Sequence, residues 1–148
     1  MKKKYKITKK SIEHFGRKLF QIKANISFGN VKKGELGGYI EKEDNLSQEG
    51  DAWVYDNAMV YGNAMVFDNA MVFDNARVYN NAMVSDNARV SDNVWVFDNA
   101  RVYGNAMVYG KIKLKTNLCS KFNFEFDWQV KLWNKLEKQF EKRIKKTK

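Results

Sequence analysis

Between Asp51 and Gly110 small, apolar and polar positions recur every six residues without a slip, reading DAWVYD NAMVYG NAMVFD NAMVFD NARVYN NAMVSD NARVSD NVWVFD NARVYG NAMVYG. Val stands at 54, 60, 66, 72, 78, 84, 90, 96, 102 and 108, and Ala stands two residues before each of them except where Val94 takes its place. Residues two apart share a face only on an extended chain, so each Ala-x-Val-x segment predicts a short strand with Ala and Val inward. A helix would scatter them. The other two positions of each hexad are Asp, Gly or Asn followed almost always by Asn. These residues tolerate left-handed backbone and bond their own main chain, which predicts a corner. Strands so short, between corners so tight, cannot pair within one turn of the chain. They must pair with the next coil, about 4.8 Å along an axis. The pattern predicts an all-β solenoid.

The hexapeptide period, with one small and one aliphatic residue inward per hexad, resembles that of the left-handed β-helix proteins. The resemblance implies a left-handed parallel β-helix of hexapeptide repeats, with triangular coils of three hexads. The hand is implied by the family alone, because parallel crossovers in general are right-handed. The units NLSQEG at 45–50, KIKLKT at 111–116, NLCSKF at 117–122 and NFEFDW at 123–128 are degenerate continuations of the period. The stretch FGNVKKGELGGYIEKEDNLSQEGDAWVYDNA, from Phe28 to Ala58, resembles the leading segment of short repeat proteins of phages and prophages, in which a basic N-terminal cap precedes similar hexads. That resemblance implies a phage or prophage origin.

Three parts follow: an N-terminal cap at 1–50, the hexapeptide-repeat β-helix at 51–116, and a degenerate last coil with a basic amphipathic helix at 117–148. An open solenoid leaves unpaired strand edges at its ends, and the two flanking parts are expected to cover them. The N-terminal cap is read as β, with strands at Tyr5–Thr8 and Lys18–Lys23 and a turn at Gly37–Gly38 before the first coil. After Asp127, a helix N-cap, the residues Val130, Trp133, Leu136, Phe140 and Ile144 recur at helical spacing.

Composition removes several classes. A hydrophobic content of 44% is too high for a disordered chain. The single Cys119 forms no internal disulfide, and no CxxC pair or Cys/His cluster suggests a zinc site. No apolar run is long enough to cross a membrane and no apolar stretch follows the basic start, so a soluble, cytoplasmic protein is expected. The net charge of +10 looks at first like a nucleic-acid footprint. Resolved along the chain it is +10 for residues 1–33, −8 for 34–110 and +8 for 111–148, an acidic middle between basic ends.

Stacked coils predict three outward faces. Eight of the ten residues that follow the Val are aromatic, and exposed apolar area on that scale marks an interface. The partner-binding candidates are Trp53, Tyr55, Phe73 and Arg89 on the first face, Tyr61, Arg77, Tyr79, Trp95 and Phe97 on the second, and Arg101 and Tyr103 on the third. The alternative is that the ladders stack on themselves. Lys131, Lys135, Lys138, Lys142 and Arg143 line the polar side of the C-terminal helix. They are candidates for contact with nucleic acid or an acidic partner, or they form the solvated face of a docked cap.

Chemistry is sparse. The corner rows Asp56/Asp74/Asp92 and Asp68/Asp86 lack the Gly-rich loops of calcium-binding solenoids and are read as turn formers, and the Asn rows as structural ladders, so no metal is expected. Many left-handed β-helix proteins are acyltransferases that use a His at a coil edge and a loop inserted between coils. Here the only His, His14, lies in the cap, and no loop interrupts the hexads. Neither His14 nor Cys119, which has no His partner, is expected to be catalytic, and no cofactor is expected. Flat Thr arrays, which an antifreeze role needs, are missing. The expectation is a non-enzymatic binding protein with a protein partner, in one version an anti-CRISPR-like inhibitor of a host defence nuclease acting in the host cytoplasm. The alternatives are a self-assembling scaffold, with a homo-oligomer such as a dimer, and nucleic-acid binding through the Lys-rich ends. A membrane surface is the least expected partner.

Overall fold

The computed structural model describes residues 3–115, 117–120, 123–124 and 128–136. In chain order the strands are β1 (Tyr5–His14), β2 (Arg17–Ala24), β3 (Leu36–Ile40), β4 (Trp53–Val54), β5 (Met59–Val60), β6 (Met65–Val66), β7 (Met71–Val72), β8 (Arg77–Val78), β9 (Met83–Val84), β10 (Arg89–Val90), β11 (Trp95–Val96), β12 (Arg101–Gly104), β13 (Met107–Val108), β14 (Lys113–Leu114), β15 (Leu118–Ser120) and β16 (Asn123–Phe124). A helix, α1, occupies residues 128–136.

The hexads build the coil as their chemistry dictates. The last residue of every hexad, and Gly50 before the first, has positive φ, from 54° at Asp56 to 83° at Gly110. Only Asp, Asn and Gly stand there, the residues for which left-handed backbone costs least. The Ala and Val columns are inward, each of these residues 0–1% exposed. Parallel pairing joins each strand to the one 18 residues on, as in Trp53↔Met71 and Arg77↔Trp95. The result is a β-solenoid with three outward faces, β4-β7-β10-β13-β16, β6-β9-β12-β15 and β3-β5-β8-β11-β14.

The offset changes at both ends. Tyr39 pairs with Met59 and Leu46 bridges Val66, 20 residues on, whereas Val102 pairs with Leu118 and Met107 with Asn123, 16 residues on. KIKLKT therefore stacks in phase, whereas NLSQEG and the units from 117 onward stack two residues out of the hexad phase. Both slips are even, and only an even slip keeps the inward set inward in a structure of period two.

The stack is also polar. Outward-facing residues donate their N–H toward the C-terminal neighbour, as Trp53 N does to Ala70 O (3.1 Å), Tyr55 N to Val72 O (2.7 Å) and Trp95 N to Ile112 O (2.9 Å). The N-terminal end consequently presents carbonyls. Lys4, 3% exposed, lies across them and donates to Ala52 O (2.8 Å) and Gly50 O (3.3 Å). Burial lowers its pKa to about 8, against the opposing pull of Asp51. The Tyr5 hydroxyl lies 2.6 Å from Leu46 O, and Gln48 exchanges two hydrogen bonds with the Tyr5 main chain. Buried Asn45 completes the first coil, with its amide donating to Ala64 O (2.8 Å) and its Oδ1 accepting from Lys42 N (2.9 Å).

The strands of the cap are longer than the sequence predicts, Tyr5–His14 and Arg17–Ala24 against Tyr5–Thr8 and Lys18–Lys23. The hairpin β1/β2 turns at Phe15 (φ 48°) and Gly16 (φ 76°), and β2 runs antiparallel against β3, so the cap continues one solenoid face into a seven-stranded sheet. Gly37 and Gly38 do not form the expected turn. They lie within β3, where a Cβ would come 2.6 Å from Val54 O at Gly37 and 2.6 Å from Ala58 O at Gly38. These glycines permit close approach to the first coil.

At the other end α1 docks through Val130, 4% exposed, and Trp133, whose ring meets Phe124 edge-on at 6.3 Å. Leu136, expected inward, is 51% exposed, in line with Trp128 and Leu132 along the helix. The nine residues of α1, about two and a half turns, bury the positions near 130 and 133, and 136 falls round the helix from them. Asp127, Phe140 and Ile144 lie outside the described residues. No helix among the described residues is long and apolar enough to cross a membrane.

Candidate interaction surface

The expected partner-binding residues separate into three groups once burial is known. Trp53 is not on the surface. It is 0% exposed, meeting Tyr5 at 6.1 Å and Phe28 at 5.3 Å, both edge-on. Its hexad phase directs it out of the coil as expected, but the cap folds over the first coil and encloses it. Tyr61, 8% exposed, is covered in the same way by the hairpin tip. Its hydroxyl lies 3.3 Å from His14 Nε2, and Arg17, paired with Glu41 at 2.9 Å, lies over its ring.

The second group is a filled ladder. Tyr61, Tyr79 and Phe97 stack nearly parallel, with centroids 5.1 and 5.3 Å apart. Beside them Arg77 and Lys113 sandwich Trp95, their cations 5.1 and 4.6 Å from a ring centroid. This face consumes its own aromatics, and Tyr79 and Phe97 are half-buried. Burial raises the pKa of Tyr61 and Tyr79, and it lowers that of His14, with Arg77 acting in the same direction. On the first face Tyr55 and Phe73 meet edge-on at 6.2 Å and are half-buried, while Arg89 is exposed.

The third face is the most open. Met65 is 41% and Tyr103 37% exposed, and Arg101 is exposed beside them. Phe67, Met83, Ser85, Asp86, Arg101, Tyr103 and Asn117 line a cleft of about 340 Å³. Met65, Phe67 and this cleft were not among the candidates singled out from sequence. The signal for the cleft is nonetheless there, in the Ser that replaces an aromatic in the hexad NAMVSD.

The corner carboxylates are occupied by structure. Asp86 and Asp92 accept from the main-chain N–H of Gly104 and Gly110, both at 2.9 Å, and Asp56, Asp68 and Asp74 repeat the contact at 3.2–3.3 Å. Asn63 donates to Asn81, and Asn69 to Asn87, which donates to Asn105. The open groove along Asp56, Asp74 and Asp92 is thus a row of intercoil bonds, and no group of three or more potential metal ligands occurs among the described residues. Lys131 and Lys135 are exposed on α1. Lys138, Lys142 and Arg143 lie outside the described residues. Cys119 falls on β15, and His14 faces the Tyr61 hydroxyl in the cap.

A family model described as the YdcK beta solenoid repeat matches residues 52–66, 76–91, 84–98 and 100–111. No curated protein matches the chain. The matched segments fall within the hexads but for Lys111, and together with the parallel stacking of β4 to β14 they identify the chain as a β-helix repeat protein.

Proposed function

We propose that the protein is a non-enzymatic binding module that engages a protein partner through the face carrying Met65, Arg101 and Tyr103. The observation that carries this reading is the contrast in exposure. The cap covers Trp53 and Tyr61, and Tyr79 and Phe97 are half-buried, whereas Met65, Arg101 and Tyr103 are exposed to solvent, the last two at the edge of a cleft. Met, Tyr and Arg are types enriched where proteins meet. A narrower form of the proposal is inhibition of a host defence nuclease in the host cytoplasm by a phage- or prophage-encoded protein. It is supported by the resemblance of the leading segment and by an acidic belt of charge −8 that repeats carboxylates along an axis as a nucleic acid repeats phosphates.

The test is affinity capture from host lysate with the wild type, a Met65→Lys/Arg101→Glu variant and a Lys113→Glu variant. Stoichiometric capture by the wild type and Lys113→Glu but not by the double variant is expected. No stoichiometric protein, or capture indifferent to the double variant, refutes the proposal. Concentration-dependent light scattering would instead favour self-assembly, and a salt-sensitive shift of DNA or RNA would favour the basic ends.

A further inference from the structure

The outward aromatic rows are periodic, and on the third face the period is broken. The row reads Phe67, Ser85, Tyr103 where the filled ladder reads Tyr61, Tyr79, Phe97. In the filled ladder each ring stands 5.1 or 5.3 Å from the next and nearly parallel to it. With Ser85 as the middle rung, Phe67 and Tyr103 stand two coils apart, about 10 Å at the usual strand spacing. That separation fits one further ring at ladder spacing. The position coincides with the cleft of about 340 Å³.

We infer that this cleft is a slot for one aromatic side chain of the partner protein, Trp, Tyr or Phe, which inserts as the missing rung between Phe67 and Tyr103. Met83 flanks the slot, a thioether suited to a ring edge. Arg101, one coil on, also lines the slot and offers a guanidinium to a ring, an association this surface already shows between Arg77 and Trp95 at 5.1 Å. Asp86 at the rim and the charge of −8 on the surrounding segment 34–110 oppose phosphate-bearing rings against the single opposite pull of Arg101. A neutral ring meets no such repulsion. The inference rests on the reading of this face as a protein interface, and it goes further in naming the anchor.

The probe is N-acetyl-L-tryptophanamide, titrated into the full chain with the methionine methyl groups observed by NMR. Saturable shifts are expected at the Met83 methyl, with Kd on the order of millimolar, and smaller ones at Met59 on the filled face. Ser85→Phe supplies the rung from within and should abolish the shifts, while Tyr103→Ala removes one wall and should weaken binding at least threefold. Circular dichroism verifies that both variants fold; should Ser85→Phe not fold, Tyr103→Ala carries the test. Adenosine monophosphate, with a ring and a phosphate, should bind more weakly than the tryptophan amide. Failure to perturb Met83, shifts that survive in folded Ser85→Phe, or tighter binding of the nucleotide would overturn the inference. The capture experiment with Met65→Lys/Arg101→Glu is read separately: a partner lost in that variant while the probe fails removes the slot and keeps the interface, and the converse removes the interface reading alone.

Discussion

The repeating coils and the N-terminal cap solve the same problem by opposite means. From Ala52 to Leu114 one inward pair, one corner and one intercoil bond pattern recur, so each residue type does the same thing in every coil. In the cap no contact recurs. Lys4 closes a carbonyl end, Asn45 fills a corner, Gly37 and Gly38 let a strand lie against the first coil, and Trp53 packs beneath Tyr5 and Phe28. Damage in a coil removes one of several like contacts, but damage in the cap removes something present once. Cap substitutions should therefore be the more severe, and the end that they open is a sheet edge prone to pair with another chain.

The strongest break of the comparison is Trp53→Ala. Losing a fully buried indole should cost about 3–5 kcal/mol, lower the unfolding temperature by roughly 10 °C or more, and promote association at the opened end, read by denaturant unfolding and light scattering. Trp53→Phe should cost much less, because the buried indole N–H has no acceptor among the described residues to lose. A loss from Trp53→Ala below about 1 kcal/mol would show that the cap is not integral.

Gly38→Ala comes next. Its Cβ would meet Ala58 O at 2.6 Å and Val54 Cγ1 at 2.8 Å, so overpacking of about 1–3 kcal/mol is expected in urea titrations. Adding a methyl to the exposed hairpin glycine, Gly16, meets no atom within 4 Å and should cost only the strain of its positive φ.

A corner substitution probes the coils. Asp92 combines φ 57° with acceptance of the Gly110 N–H at 2.9 Å. Asp92→Gly loses the bond alone, about 1 kcal/mol, whereas Asp92→Ala also loses tolerance of left-handed backbone, about 1–2 kcal/mol more. Equal losses would mean that the backbone preference is not what selects Asp.

The last effect is a pH dependence confined to the cap. Lys4 has its pKa lowered to about 8 by burial, from 10.5. Between those values the unfolded chain keeps a proton that the folded chain has released, so stability should rise with pH from about 8 toward 10. Tyr5, whose pKa burial raises, acts in the opposite sense above pH 10. Lys4→Met should flatten the rise in thermal unfolding measured from pH 7.5 to 9.5, and a flat wild-type profile would contradict the buried-cation account.

The hexads were legible because each of their residues is constrained locally. Val78 and Ala76 lie inward by parity, and Asp74 and Asn80 turn corners by backbone preference, whatever surrounds them. The even slips at Leu46 and Leu118 were hidden, since a degenerate hexad such as NLSQEG still scans in phase. For the surface, parity names the residues that leave the coil but not what comes to lie over them. Met71, Arg89 and Trp53 share one phase, yet Trp53 alone is enclosed by the cap.

The sequence by itself determined the solenoid, its corners and the narrow Ala/Val column, because a six-residue period leaves one backbone path that keeps the same residues inward in every coil. Tertiary structure alone decided which outward residues remain exposed. Tyr61 and Tyr103 occupy the same hexad position, but one is 8% and the other 37% exposed. The difference arises from β1 and β2, which are remote in sequence and pair with only one of the three faces. Periodicity records direction relative to the chain, and exposure depends on what the rest of the chain brings to that face.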